Sequence, residues 1–308
     1  MRFIFVKELI KYAKKNKDLY LVTADLGYRA FEDFKRLYPD RFINVGVAEN
    51  NMIGVAAGLA LTGKKVFVYS ILPFLVFRSL EQIRNNICHN NLDVTLVGAG
   101  GGFSYGPQGI SHNTSEDISI IRSLPNINVY NPGSRLETEL LMRIIFKNKS
   151  PSFIRLGKCP DNDFYNKNIK LKNGEGLIIA KGNDMTIFTS GNILENVFNA
   201  VEKIKIKGFN VKLISLPIIK PVNEKFILAN LNTKKILSIE ENSIVGGLNS
   251  ILSSIYVKKQ KKNIQFKSIA LKDMVHKSIG SQKHLRNINM LSTEKIYKFM
   301  IKYLNEKD

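Results

Sequence analysis

Short apolar runs alternate along this chain with stretches whose apolar positions recur every three or four residues. That alternation predicts strands interleaved with helices. Residues 4–16 set Ile4, Phe5, Leu9, Ile10 and Tyr12 among lysines, as in a helix with one buried face. LYLVTAD (19–25) is a compact apolar run ending in a carboxylate, the form of a parallel strand buried on both faces. FINVGVAE (42–49) is a second such run, and NMIGVAAGLALTG (51–63) reads as a helix of small residues closed by Gly63. KKVFVYS (64–70) predicts a strand, RSLEQIRNNICHN (78–90) a helix, and LDVTLVGAG (92–100) a strand running into a glycine-rich loop. Residues 115–125 and 134–147 predict helices, with strands at 127–132 and 151–157.

Residues 158–175 are polar, without a sustained period, and the pattern then restarts. MTIFTSG (185–191), NVKLISLP (210–217) and KKILSIEE (234–241) read as strands, with helices over 193–206 and 247–257. The expectation is two consecutive α/β domains with mostly parallel sheets. Their bounds are 1–160 and 176–308, joined by a linker at 161–175.

The chain has 308 residues, 44% of them hydrophobic, enough for two cores. No stretch approaches the roughly 20 apolar residues a membrane helix needs. The start, MRFIFVKELIKYAKKNKD, lacks a signal peptide's long apolar core, so a cytoplasmic location is expected. Cys88 and Cys159 form no CxxC pair or metal-spaced cluster and read as unlinked thiols. The net charge of +20 comes from scattered lysines, among them Lys11, Lys14, Lys15, Lys203, Lys205, Lys207, Lys258, Lys259, Lys261 and Lys262. No aromatic-interleaved basic stripe accompanies them, so a solvated surface is expected in place of a nucleic-acid site.

Two chemistry-bearing positions stand out. Glu49 ends an apolar run and opens a small-residue helix; on position alone it reads as a carboxylate against free helix N–H groups. His112 lies late in the loop GAGGGFSYGPQGISHNTSED (98–117), and on its own reads as a surface histidine. The loop is not a dinucleotide or phosphate motif: a GxGxxG begun at Gly98 puts Phe103 at the third glycine, and no GKS or GKT follows.

The ordered segments FINVGVAENNMIGVAAGLALTGKKVFVYS, RSLEQIRNNICHNNLDV, GPQGISHNTSEDISIIRSLPNINVYNP and PSFIRLGK resemble the C-terminal half of transketolase. They are also similar to 1-deoxyxylulose-5-phosphate synthase and to the beta subunit of 2-oxoacid dehydrogenases. MTIFTSGNILENVFNAVEKIKIKGFNVKLISLPIIKP and ILSIEENSIVGG resemble the family's C-terminal domain, so the resemblance runs over nearly the whole chain. It is nearest to the small subunit of split transketolases.

This resemblance implies thiamine diphosphate as cofactor. Glu49 would hydrogen-bond N1′ of its aminopyrimidine and favour the imino tautomer. Phe74, with Phe77 as substitute, would stack on the pyrimidine; taken alone, both read as core packing. Arg78 and Asp25 would lie beside the cofactor; alone, Arg78 reads as exposed near a helix start and Asp25 as a cap. His112 would face the reacting carbonyl. Arg155 would bind substrate phosphate, with an ion pair as the alternative, and Arg2 would be a second phosphate ligand.

Some positions depart from the family pattern. Gln108 stands where transketolases carry an aspartate that contacts a sugar hydroxyl, and Ser111 stands for the family threonine. An upstream phosphate-binding histidine has no counterpart in VGAGGGFSYGPQG. The family's Gly-Asp-Gly and asparagine module, which holds the divalent metal, is also not found. The resemblance therefore implies a partner subunit supplying the diphosphate and metal (Mg2+ or Ca2+) site, in an α2β2 assembly with self-association through both domains. The implied activity is two-carbon ketol transfer between sugars. The alternatives are 2-oxoacid decarboxylation and a catalytically silent regulatory subunit.

Overall fold

The computed structural model describes residues 1–157, 164–165, 169–258 and 264–306. Cys159, Lys259, Lys261, Lys262 and part of the expected linker lie outside the described residues. The first half runs α1 (Arg2–Ala13), β1 (Leu19–Thr23), α2 (Glu32–Leu37), β2 (Phe42–Asn44), α3 (Glu49–Leu61) and β3 (Lys65–Ile71). It continues through α4 (Leu72–Gln82), β4 (Val94–Ala99), α5 (Asp117–Ser123), β5 (Asn128–Tyr130), α6 (Arg135–Lys147) and β6 (Ser152–Leu156). The second half runs β7 (Leu177–Ala180), β8 (Met185–Ser190), α7 (Leu194–Ile206), β9 (Val211–Ser215), β10 (Ile218–Lys220) and α8 (Glu224–Asn230). It ends with β11 (Lys235–Ser243), α9 (Leu248–Lys258), β12 (Gln265–Leu271), α10 (Gln282–Ile288) and α11 (Thr293–Asn305).

The architecture is two α/β domains. A seven-stranded sheet has the order β10-β5-β6-β4-β3-β1-β2, and a five-stranded sheet the order β12-β11-β8-β9-β7. All pairings are parallel except β10 with β5 and β7 with β9. Helices cover both faces, so β4 and β8 are buried along their whole length, which is why they read as unbroken apolar runs. Helix α6 starts where Ser134 accepts the Glu137 N–H at 3.1 Å and Glu137 in turn accepts the Gly133 N–H, a reciprocal cap.

Several expectations change. The strand expected over 42–49 ends at Asn44, because Gly46 takes φ +74° and turns the chain into α3. The helix expected from 78 begins at Leu72: Pro73 sits in its first turn, where a missing N–H is harmless. Its last stretch, Ile83–Cys88, is a π-helix. Strand β10, from the second half of the chain, returns to the edge of the first sheet and pairs Ile218 with Tyr130. One apolar cluster accordingly joins Val22, Val68 and Leu96 to Phe188, Ile214 and Ile236. Cys88 is a free, buried thiol that burial pushes up to about 11. No helix among the described residues is long and apolar enough to cross a membrane.

Candidate functional site

The site gathers at the C-terminal ends of β1, β3 and β4, where an open parallel sheet leaves a crevice. Glu49 is the first residue of α3, and its carboxylate benefits from the free N–H groups there. The side chain is only 2% exposed. Ser70, near the end of β3, donates to Oε1 at 3.3 Å, and Arg78 Nη1 donates to Oε2 at 2.9 Å.

Because α4 begins directly after β3, Phe74 and Arg78 stand one turn apart on one helix face. The Arg78 guanidinium lies 4.3 Å from the Phe74 ring centroid, a cation–π contact. The His112 ring meets Phe74 edge-on, with centroids 5.1 Å apart and planes at 72°. A continuous line of contacts thus runs Glu49, Arg78, Phe74, His112. Phe77 is 45% exposed and outside that line.

His112 follows a 3-10 segment, Gly106–Ser111. Ser111 Oγ lies 2.9 Å from its Nδ1, which leaves Nε2 for a ligand. The Tyr105 ring flanks it at 6.2 Å, and Gly100 permits that position: a Cβ there would come within 2.0 Å of the tyrosine ring. Gln108 is exposed on the same segment, with its carbonyl 3.4 Å from the Ser111 hydroxyl.

Asp25 adopts φ +54° and exchanges two hydrogen bonds with Asn44, from its own N–H to Oδ1 at 2.9 Å and from Nδ2 to its Oδ1 at 3.0 Å. Its carboxylate is exposed and lines a 440 Å³ cleft with Gly27, Tyr28 and Asn44. Arg2 lies beside Tyr69, whose hydroxyl is pushed up to about 12 by burial and by Tyr105, with Arg2 pulling it back. Arg2 also lines a 540 Å³ cleft with Gly100, Ser104, Tyr105 and Arg135, so Tyr105 borders both this cleft and His112. Sequence reasoning missed Tyr105 and Arg135; the glycine-rich loop signals the first, and nothing local signals the second.

Arg155, expected on a substrate phosphate or in an ion pair, lies inside the fold. It is 2% exposed, and its Nε and Nη2 bind the fully buried Asp117 carboxylate at 2.8 and 3.0 Å. Its remaining donors reach the Glu241 and Thr114 carbonyls at 3.3 and 3.4 Å. The fork is thus engaged by an ion pair inside the fold. Burial pushes the Asp117 carboxyl above its ordinary value, while Arg155 pulls it back. Among the described residues, no group of three or more His, Cys, Asp or Glu side chains could hold a metal ion.

Residues 1–159 match the transketolase pyrimidine-binding domain, and 174–296 match the transketolase C-terminal domain. A putative transketolase C-terminal section of Methanocaldococcus jannaschii is 34% identical over 83% of this chain and 81% of that protein. An apulose-4-phosphate transketolase subunit of Actinobacillus succinogenes is 30% identical over 95% of this chain and 94% of that one. A solved structure described as a split gene transketolase, inactive beta4 tetramer, superposes with TM-score 0.87 at 26% identity, covering 99% of this chain and 98% of that chain. The chain belongs to the transketolase family, in the form that carries the pyrimidine-binding and C-terminal domains.

Proposed function

We propose that the chain is the pyrimidine-side subunit of a two-chain transketolase that moves a two-carbon ketol unit between phosphorylated sugars. The buried Glu49 carboxylate, braced by Ser70 and Arg78 and followed in space by Phe74 and His112, carries this reading. Similarity to chains named as single subunits of apulose-4-phosphate transketolases supports it.

The pyrimidine-binding domain implies thiamine diphosphate. The residues fit its aminopyrimidine, offering one desolvated acceptor in Glu49 and one aromatic face in Phe74. When bound, the cofactor supplies a carbon nucleophile that no side chain provides. Glu49 would hold the pyrimidine N1′ by a hydrogen bond and so would favour the imino tautomer, the strength of that bond preserved by exclusion of water. Arg78 keeps that carboxylate aimed. His112, its Nδ1 fixed by Ser111, orients the substrate carbonyl through Nε2 and moves a proton at that oxygen. Gln108 and Ser111 serve the sugar hydroxyls. Arg2 and Arg135, which line the 540 Å³ cleft, supply the charge for the sugar phosphate.

In this reading Asp25 faces the subunit boundary, and a partner chain brings the diphosphate and metal module (Mg2+ or Ca2+) in an α2β2 assembly. Copies of this chain alone are expected to associate, as in the similar beta4 tetramer. Donor tests on the chain mixed with its partner, thiamine diphosphate and Mg2+ decide the reading. Cleavage of a ketose phosphate, abolished by Glu49→Gln, is expected. Pyruvate decarboxylation would move the chain to the 2-oxoacid class, and turnover indifferent to Glu49→Gln would make it a silent subunit.

A further inference from the structure

The loop that carries His112 is gripped from the other domain. Gly102 and Thr114 pair in a short antiparallel bridge, Gly102 N to Thr114 O at 3.0 Å and the reverse at 3.3 Å, which closes residues 102–114 into a ring. The stem of that ring rests on β11. Glu241 is 1% exposed, and its Oε1 accepts the Phe103 N–H at 3.0 Å across 138 residues of sequence. Its Oε2 is held by Arg286 Nη2 at 2.5 Å and Nε at 3.2 Å. Arg286, on α10 and 7% exposed, spends its other donors on the Asn192 carbonyl at 3.1 Å and Asn196 Oδ1 at 2.9 Å.

The fit leaves no slack. A Cβ at Gly102 would come within 2.7 Å of the Glu241 carboxyl carbon, and one at Gly101 within 2.1 Å of Arg155 Nε. Phe103 is 2% exposed and packs in the apolar cluster of the second domain with Ile187, Ile239 and Leu285. On the far side of the ring, Gly280 N approaches Gly106 O at 3.4 Å. Arg155 ties the two partners together by donating to the carbonyls of both Glu241 and Thr114.

We propose that the Glu241–Arg286 pair is a positioning device by which the C-terminal domain sets the place of His112 over Phe74 and Glu49. The proposal rests on the reading that His112 faces substrate. A buried ion pair is weak evidence of stability, since apolar residues of equal volume do as well. This pair has a second use: the carboxylate holds a backbone N–H of a loop from the other domain, and a charge-assisted bond is short and directional. Arg286 spends its donors on Glu241, Asn192 and Asn196, so it acts on the loop through Glu241. A misplacement of about 1 Å at a reacting group costs about a hundredfold in rate.

The test uses Arg286→Met, which removes the brace without touching the loop, and Arg286→Lys, which restores charge. In the chain paired with its partner, kcat for ketose cleavage should fall about tenfold to a hundredfold in Arg286→Met, with an intermediate value in Arg286→Lys. The affinity for thiamine diphosphate should not move, because Glu49, Ser70 and Phe74 are untouched. In the chain alone, amide exchange should rise over 103–112 and stay at the wild-type rate in α3 and β3. A folded Arg286→Met with wild-type kcat, or exchange rising evenly across the chain, overturns the proposal. If Arg286→Met does not fold, an Arg286→Lys with wild-type kcat and loop exchange overturns it equally. Glu49→Gln separates the two claims. If it leaves turnover intact, the reading of the site fails and loop exchange alone decides the clamp. If it abolishes turnover while both Arg286 variants behave as wild type, only the clamp fails.

Discussion

Arg78 reaches Glu49 from the solvent side: its Nη1 donates to Oε2 at 2.9 Å, with the arginine side chain 50% exposed and the carboxylate 2% exposed. A pair straddling the surface in this way is screened on one side and adds little to stability, of the order of 0–1 kcal/mol. What it fixes is direction. The guanidinium is planar, so donating to Glu49 while stacking on Phe74 sets both side chains at once.

Replacing Arg78 should therefore affect turnover more than folding. Arg78→Ala is expected to lower kcat of the assembled enzyme by about tenfold to a hundredfold, with a thermal midpoint close to wild type. Arg78→Lys keeps the charge but loses fork and stack, and should recover only part. Steady-state kinetics beside thermal melts check this; three equal kcat values would remove Arg78 from the site.

The fold class is legible in the sequence because parallel strands covered on both faces must be nearly continuous apolar runs, and β1, β3 and β4 are. The members of the line Glu49, Arg78, Phe74, His112 follow from an ordered resemblance; the contacts that join them come from the start of α4. That start is hidden in the sequence, since Leu72-Pro73 looks like a loop until Pro73 is placed in a first helical turn. Arg155 is illegible for a different reason. Its partner, Asp117, is 38 residues away, and no local pattern reports that both are buried. Strand β10 is only three residues long and joins a sheet built by the other half of the chain, a long-range choice with no local period.

The Arg155–Asp117 pair makes its own prediction. Arg155→Met leaves a fully buried carboxylate without its counter-charge, and should destabilise the chain by about 3–5 kcal/mol. The double variant Arg155→Met with Asp117→Leu removes both charges and should recover most of that loss. Urea denaturation of the single and double variants measures both. A stable Arg155→Met that only raises KM for phosphorylated sugars would assign Arg155 the phosphate role.

Glu240 gives a pH dependence of known sign. It is 3% exposed, accepts the Leu248 and Asn249 N–H groups at 2.8 Å each, and is pushed up to about 7 by burial. Its unfolded value lies near 4.5, so between about 4.5 and 7 the native state holds more protons than the unfolded one. The contribution of this carboxyl is complete below 4.5 and is lost as pH rises through 7. The full loss amounts to about 3–4 kcal/mol, at about 1.4 kcal/mol per unit, of which about 2–3 falls between pH 4.5 and 7. Glu240→Gln lacks this slope. Asp117 and Glu137 are also raised by burial, but they cancel when the variant is compared with wild type at each pH. The stability difference should therefore shift toward the variant by about 2–3 kcal/mol between about pH 4.5 and 7. A difference that stays flat with pH would show that Glu240 does not titrate there.

Helix α3 turns an open face outward. Val47, just before it, is 73% exposed and Leu61, at its end, 70%, with exposed Gly54 and Gly58 between them. A Cβ at either glycine meets nothing within 4 Å, so the chain's own packing gives no reason for glycine there. In an exposed helix interior, glycine costs roughly 0.5–1 kcal/mol relative to alanine. Gly58→Ala should then raise the stability of the isolated chain by about that amount, and Gly58→Leu should leave it no lower than wild type. The same changes should act oppositely on assembly if α3 meets another subunit, because a side chain at 58 would hold the two backbones apart. Sedimentation of Gly58→Leu with and without the partner reads the second effect, and thermal melts of the chain alone read the first. Weaker association with an undiminished melt is the expected combination. Association equal to wild type would place the subunit boundary away from α3, and a lowered melt would mean that the open face is closed within the chain itself.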